Sequence, residues 1–225
     1  MFRGSQQVRL GTAEPDAAIH YTLDGSAPTA ASPRHAAPQT IAESVTLRAL
    51  AVRGEATSPV VSVTFRKLAD YPRIALSVPY APQYAAAGDD TLIDGLHGNT
   101  SFKTGRWQGY RSRDLNVTLD FGAPRDVRHV SMGFLQDTGS WILMPRRVVV
   151  EASLDGRTYT QAGVVENDVD EHETKAVTRD FTLALERPVS ARYLRVRVIG
   201  HGTLPSWHTG SGEEAWFFAD EIVVR

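Results

Sequence analysis

Cysteine is absent from the 225 residues. That excludes a disulfide framework, a thiolate nucleophile and a thiolate metal site. Also missing is any apolar run near the ~20 residues that a membrane-spanning helix requires. A surplus of positive charge is missing as well: 24 Lys and Arg stand against 26 Asp and Glu, for a formal charge of −2. Nucleic-acid binders carry a basic excess, so nucleic acid is not an expected partner. No stretch shows the sustained 3.6-residue periodicity of a long helix. The opening segment, Met1-Phe2-Arg3-Gly4-Ser5-Gln6-Gln7, lacks the apolar region of a signal peptide.

What is present is a series of short alternating segments. Hydrophobic residues make up 42% of the chain, enough for a packed core without cross-links. Val148, Val150 and Ala152 alternate with Val149, Glu151 and Ser153, the two-residue period of a half-buried strand. Asp155-Gly156 follows, a dipeptide suited to a two-residue hairpin turn. Val61, Val63 and Phe65 share one face of another segment, as do Val117, Leu119 and Phe121. Phe181, Leu183 and Leu185, then Leu194, Val196 and Val198, repeat the pattern. Strands at short spacing with Gly, Pro and Asp punctuation predict an all-β chain. A junction at Leu68–Pro72 divides it into a small β-sandwich over residues 2–69 and a larger jelly-roll β-sandwich over 72–225.

Two stretches carry a family resemblance. Tyr21–Thr29, YTLDGSAPT, places a turn at Asp24-Gly25, with Ser26 and Thr29 able to bond loop backbone and Pro28 stiffening the exit. It resembles the small C-terminal β domain of chitobiases and β-hexosaminidases, and nothing in it suggests a reaction centre. Residues 133–159, GFLQDTGSWILMPRRVVVEASLDGRTY, resemble the discoidin or coagulation-factor-5/8 type C fold. The likeness is to the version at the C-terminus of family 20 glycoside hydrolases, the β-N-acetylhexosaminidases, with family 32 carbohydrate-binding modules among the relatives. The resemblance implies an Ig-like sandwich followed by a discoidin-like one. It implies a non-catalytic accessory region that binds glycans weakly through end loops and tethers a catalytic glycosidase domain in cis. N-acetylhexosamine or galactose-type sugars are the implied ligands. A periplasmic or secreted location follows, with the signal peptide upstream. Two alternatives stay open: a structural buttress for a catalytic domain, without sugar binding, and a cell-surface or lipid adhesion module.

Candidate sites follow from residue type and from that resemblance. Sugars bind an aromatic face flanked by a few polar groups. Tyr110, Trp141 and Trp207, with Gln136, Asp137 and His208, are the ligand-binding candidates, because they lie on or near loops. Trp107 and Trp216 adjoin strands and suit a core. Related modules hold a structural calcium with an Asp-Gly loop and a C-terminal Glu. By resemblance Asp94, Asn99, Thr100 and Glu221 would hold it here, although Leu96 stands where a second acid is usual. The other reading of Asp94–Ser101 is an Asx-type turn with Glu221 in a salt bridge. The adjacent acids Asp170-Glu171 and Asp220-Glu221 lack the His-x-Gly-Gly/Ala lead of family 20 catalysis, and no eightfold βα repeat supports a barrel. No catalytic function is expected. Glu171-His172-Glu173 lacks the second His of a zinc helix.

Overall fold

A computed structural model of the chain describes residues 2–67 and 73–225. The chain divides into two compact units, Met1–Asp70 and Tyr71–Arg225. The junction expected at Leu68–Pro72 lies outside the described residues. Strands dominate both units, and the helical segments among the described residues are short 3-10 turns such as Gly88–Ile93.

The first unit pairs β1 (Gln6–Val8) with β3 (Gln39–Ile41), and β4 (Val45–Arg53) with β2 (Ala18–Thr22), β5 (Ala56–Thr57) and β6 (Val61–Phe65). The Tyr21–Thr29 motif works as turn chemistry. Asp24 Oδ1 accepts from the backbone N–H and the hydroxyl of Ser26, and Gly25 takes a positive φ of 81°. Strand β6 departs from the half-buried expectation: Val61 is 63% and Val63 46% exposed. Both lie opposite buried residues of β4, Ala49 and Leu47, but among the described residues β6 pairs with β4 alone. The edge position leaves the alternating face uncovered.

The second unit is organised by two long strands, β9 (Leu115–Gln136) and β12 (Val177–Ile199). Each bends and serves both layers of a sandwich. Residues 115–120 of β9 lie between β7 (Arg73–Leu76) and the end of β12, which continues to β10 (Arg147–Ser153) and β11 (Thr160–Glu166). Residues 130–136 lie between the start of β12 and β13 (Trp216–Val224), which pairs with β8 (Gln108–Arg111). Gly122, at φ 77°, and register shifts in β12 between Ala184 and Tyr193 mark the corners. The core packs Val117, Leu119, Leu194 and Val196 against Met132, Phe134, Phe181 and Phe217, the alternating sets that a two-layer sandwich requires. A second cluster of Trp107, Leu135, Ile142 and Phe218 covers the outer side of β13 and β9.

The connection after β10 is longer than a two-residue hairpin. Asp155 Oδ1 accepts from the N–H groups of Arg157 and Thr158 and from the Ser153 hydroxyl, so one carboxylate organises residues 153–158. Those backbone donors, Thr158 first, hold Asp155 down at about 2.

Candidate functional site

Antiparallel order gathers the loops after β9, β11 and β12 at one end of the sandwich. The physical link between them is a chain of hydrogen bonds. Gln136 Nε2 donates to the Asp170 carbonyl over 2.8 Å, and Thr138 Oγ1 donates to the Glu173 carbonyl. His208 accepts the Gly210 N–H at Nδ1, so Nε2 carries the hydrogen that it donates to the Thr138 carbonyl over 2.8 Å. Trp207 Nε1 donates to Glu171 Oε1 over 2.9 Å. His201 Nδ1 donates to the Thr203 carbonyl, and its Nε2 stands 3.5 Å from Glu171 Oε2.

This network leaves Trp207 37% exposed, the one tryptophan among the exposed large hydrophobics of the described residues. The His172 ring lies against it, centroids 4.4 Å apart and planes tilted by 33°. Asp170 Oδ1 accepts the His172 backbone N–H and sits 3.3 Å from its Nδ1. The backbone N–H and then the side chain of His172 hold the Asp170 carboxyl below its ordinary value. A flat apolar surface ringed by carboxylates and imidazoles suits a polyhydroxylated ring, whose C–H face packs on the indole and whose hydroxyls bond the rim.

The other ligand candidates divide by burial. Tyr110 is corrected: it is 1% exposed, stacks on Phe217 at 5.0 Å, and donates its hydroxyl to Gln108 Oε1. Burial raises the Tyr110 phenol far above its ordinary value. Its place on β8 turns the ring into the core. Gln136 and His208 are also buried, with both polar ends of each engaged within the protein, so they position loops and present nothing outward. Asp137 is half-buried and accepts from the Ser140 hydroxyl. Trp141, at φ 65°, is half-buried against Leu143, Leu204 and Ala215, with its ring over Gly210. It supports the loop that carries Trp207. Glu171, His172 and His201 were not among the expected ligand residues. They lie on two loops, one acidic and one rich in Gly and Ser, which only strand order brings together.

The acids near the chain's end form a separate cluster. A register shift between Ala219 and Ile222 in β13 places Asp220 and Glu221 at a bulge, a device that re-aims side chains. Glu221 Oε2 accepts the Gly95 N–H over 2.8 Å, and Asp220 Oδ2 accepts that of Gly98 over 2.7 Å. Asp94 Oδ1 accepts the Leu96 N–H, an Asx turn with Gly95 at φ 73°. Asp94, Asp220 and Glu221 are all buried. Burial, with Asp94 and Asp220 adding repulsion, pushes Glu221 up to about 8; burial likewise raises Asp220. The expected Glu221 salt bridge gives way to the Gly95 contact, and the imidazole nearest these acids is His97, 3.4 Å from Asp220. Asn99 and Thr100 lie on the exposed part of the loop. Asn99 spends its side-chain oxygen on the Ser101 N–H and its carbonyl on Trp107 Nε1. Among the described residues no three His, Asp or Glu side chains form a metal-holding group. A divalent ion would therefore have to take most of its hard oxygen donors from backbone carbonyls, with Asp94 and Glu221 as side-chain candidates, a donor type that calcium accepts.

The fold defines a class: an antiparallel jelly-roll β-sandwich module whose loops gather at one end. The chain belongs to the F5/8 type C domain family, which matches residues 75–216, while the chitobiase/beta-hexosaminidase C-terminal domain matches residues 1–63. No curated protein matches the chain. Solved structures similar to it include the C-terminal domain of a chitobiase from Bacteroides fragilis, 16% identical, covering 70% of this chain and 96% of that one with a TM-score of 0.40. A family 32 carbohydrate-binding module from a family 31 glycoside hydrolase of Clostridium perfringens is 16% identical, covering 69% and 96%, with a TM-score of 0.40. A pectin-binding carbohydrate-binding module is 13% identical, covering 69% and 91%, with a TM-score of 0.42.

Proposed function

We propose that the second unit is a glycan-binding accessory module that holds a β-N-acetylhexosaminidase-like catalytic domain, in cis, near its substrate. The exposed indole of Trp207, fixed by Glu171 at the centre of three joined loops, carries this reading. One aromatic platform with a polar rim gives a weak site. A tether makes a weak site useful, because the second binding event occurs at the effective concentration set by the linker. N-acetylhexosamine or galactose-type sugars are the proposed ligands, and a periplasmic or secreted setting goes with them. The test is a titration of tryptophan emission with N-acetylglucosamine, N-acetylgalactosamine and galactose oligomers. Trp207→Ala abolishes the response if the reading holds; an unchanged response removes it.

A calcium ion fits the same proposal as a structural element. Asp94 and Glu221, with backbone carbonyls of the adjoining loop, would hold it, and its charge would offset the burial, and the lesser repulsion from Asp94 and Asp220, that raise Glu221. The ion would fix the 94–98 loop against β13.

A second role is favoured for the first unit by one observation. Val61 and Val63, with Leu10, Ile19, Leu47 and Ala49, line an open groove of about 300 Å³. An uncovered apolar strand face suits packing against the catalytic domain. In this reading the first unit buttresses and the second binds. Cross-linking of the parent enzyme through a cysteine placed at Val61 checks it.

A further inference from the structure

The contact between His172 and Trp207 bears on how the proposed sugar site is controlled. We propose that His172 gates the Trp207 platform: its imidazole occupies an indole face that a sugar ring would take, so that the imidazole must swing aside before a sugar can bind. This inference rests on the glycan-binding reading above.

The geometry is that of a stand-in ligand. A centroid separation of 4.4 Å and a tilt of 33° bring a flat ring onto the indole at stacking distance. The His172 side chain is 59% and the Asp170 side chain 74% exposed, so the ring can leave without opening the core. Its backbone stays anchored by the N–H bond to Asp170 Oδ1. Glu171 meanwhile holds the indole from its edge, through Nε1, and leaves the ring faces free of that bond.

The neighbours of the pair set which part moves. On its own loop His172 has Asp170, Glu171 and Glu173 as neighbours in sequence, and Asp170 Oδ1 lies 3.3 Å from its Nδ1. The facing loop contributes His201 and His208. His208 accepts at Nδ1 and donates at Nε2, both within the protein, so neither ring nitrogen is available to a ligand. His201 stands 3.5 Å from Glu171, on the side of the indole's anchor and not of its faces. His172 is therefore the ring that a sugar must displace.

The experiment has two readouts on the full chain. The first needs no sugar: tryptophan emission of the native protein, His172→Ala, Trp207→Phe and the double variant. An imidazole stacked on the indole alters its emission, so His172→Ala differs from native, and the difference is missing when the same change is made on Trp207→Phe. The second is the sugar titration. His172→Ala binds roughly two- to tenfold more tightly than native, because no ring has to be displaced. If His172→Ala binds no more tightly than native, or as poorly as Trp207→Phe, the imidazole is part of the platform and the gate is overturned. If His172→Ala has native emission, the ring does not lie on the indole and the gate also falls. If the emission behaves as described but no sugar changes it in any variant, the glycan reading is what fails, and the gate loses its ligand with it.

Discussion

Trp207 and Glu171 are 36 positions apart in the chain, yet the indole Nε1 donates to Glu171 Oε1 over 2.9 Å. The bond joins the loop after β12 to the loop before it. It turns an exposed aromatic side chain, which would otherwise sample several rotamers, into a fixed surface. His201 approaches the second oxygen of the same carboxylate. One half-exposed acid thus orients the proposed platform.

Removing that acid tests the orientation. Glu171→Ala is expected to red-shift the Trp207 emission and to weaken sugar binding, with a stability loss of only about 1 kcal/mol because the partners are solvated. Urea unfolding and emission spectra measure the two effects separately. A variant with native emission and native binding shows that the indole is held by packing alone.

Tyr110→Phe separates core from ligand face. The substitution keeps the stack on Phe217 and deletes the hydroxyl that donates to Gln108 Oε1 in the interior. An unsatisfied buried acceptor costs about 1–3 kcal/mol, so the melting temperature falls by several degrees. Sugar titration stays native, as it must for a residue that never meets ligand.

Gly98 is packed directly beneath the Trp107 ring, where a Cβ would fall inside the indole. Trp107 is buried and pinned by its bond to the Asn99 carbonyl, so it has nowhere to move. Gly98→Ala is expected to cost at least about 1–3 kcal/mol. At neighbouring Gly95 an added Cβ meets nothing within 4 Å, although φ is 73°. Gly95→Ala should therefore cost about 1 kcal/mol, from backbone strain only. Thermal melts of the two variants rank them.

The acid cluster gives a pH prediction with a definite sign. Glu221 binds its proton up to about 8 in the folded chain against 4.5 for the free side chain. Between those values the folded state holds more protons than the unfolded one, so stability falls as pH rises through that window and levels off above it. With chelator present the loss is of order a few kcal/mol, and Glu221→Gln removes most of the slope.

The proposed calcium ion would act on the same slope. If the ion binds the ionised cluster, adding it restores stability at pH 8 far more than at pH 5. At a hundredfold excess over its dissociation constant the gain is about 2.7 kcal/mol. Asp94→Asn should abolish that gain. A melting temperature indifferent to both calcium and chelator at pH 8 removes the ion from the proposal.

Much of the fold was legible because a strand's alternation is local. Val117 and Leu119, Leu194 and Val196, and Phe181 all point into the core that their period predicted. The edge exposure of Val61 and Val63 was not legible, since alternation says which residues share a face and nothing about what covers it. The hairpin at Asp155-Gly156 lengthened because the Asp155 carboxylate collects donors from farther along the chain than a two-residue turn contains.

The site was only partly legible. Trp207 stands out by its Gly- and Ser-rich surroundings, and it is exposed; Tyr110 stands out only by lying near a loop, and it is core. Asp94 and Glu221 both contact Gly95 or its neighbour, as a shared loop requires, but Asp220 joins them through a bulge that no residue pattern announces.

By itself the sequence determined the all-β character, the alternating core and the lack of thiol chemistry, because each depends on residue type and near-neighbour spacing. Only the tertiary structure decided which aromatic rings meet solvent, which acids share a buried pocket, and that His172 lies on Trp207. Those outcomes depend on which distant strands become neighbours. The order of β9, β12 and β13 in the sheets supplies that information, and no short window of the chain contains it.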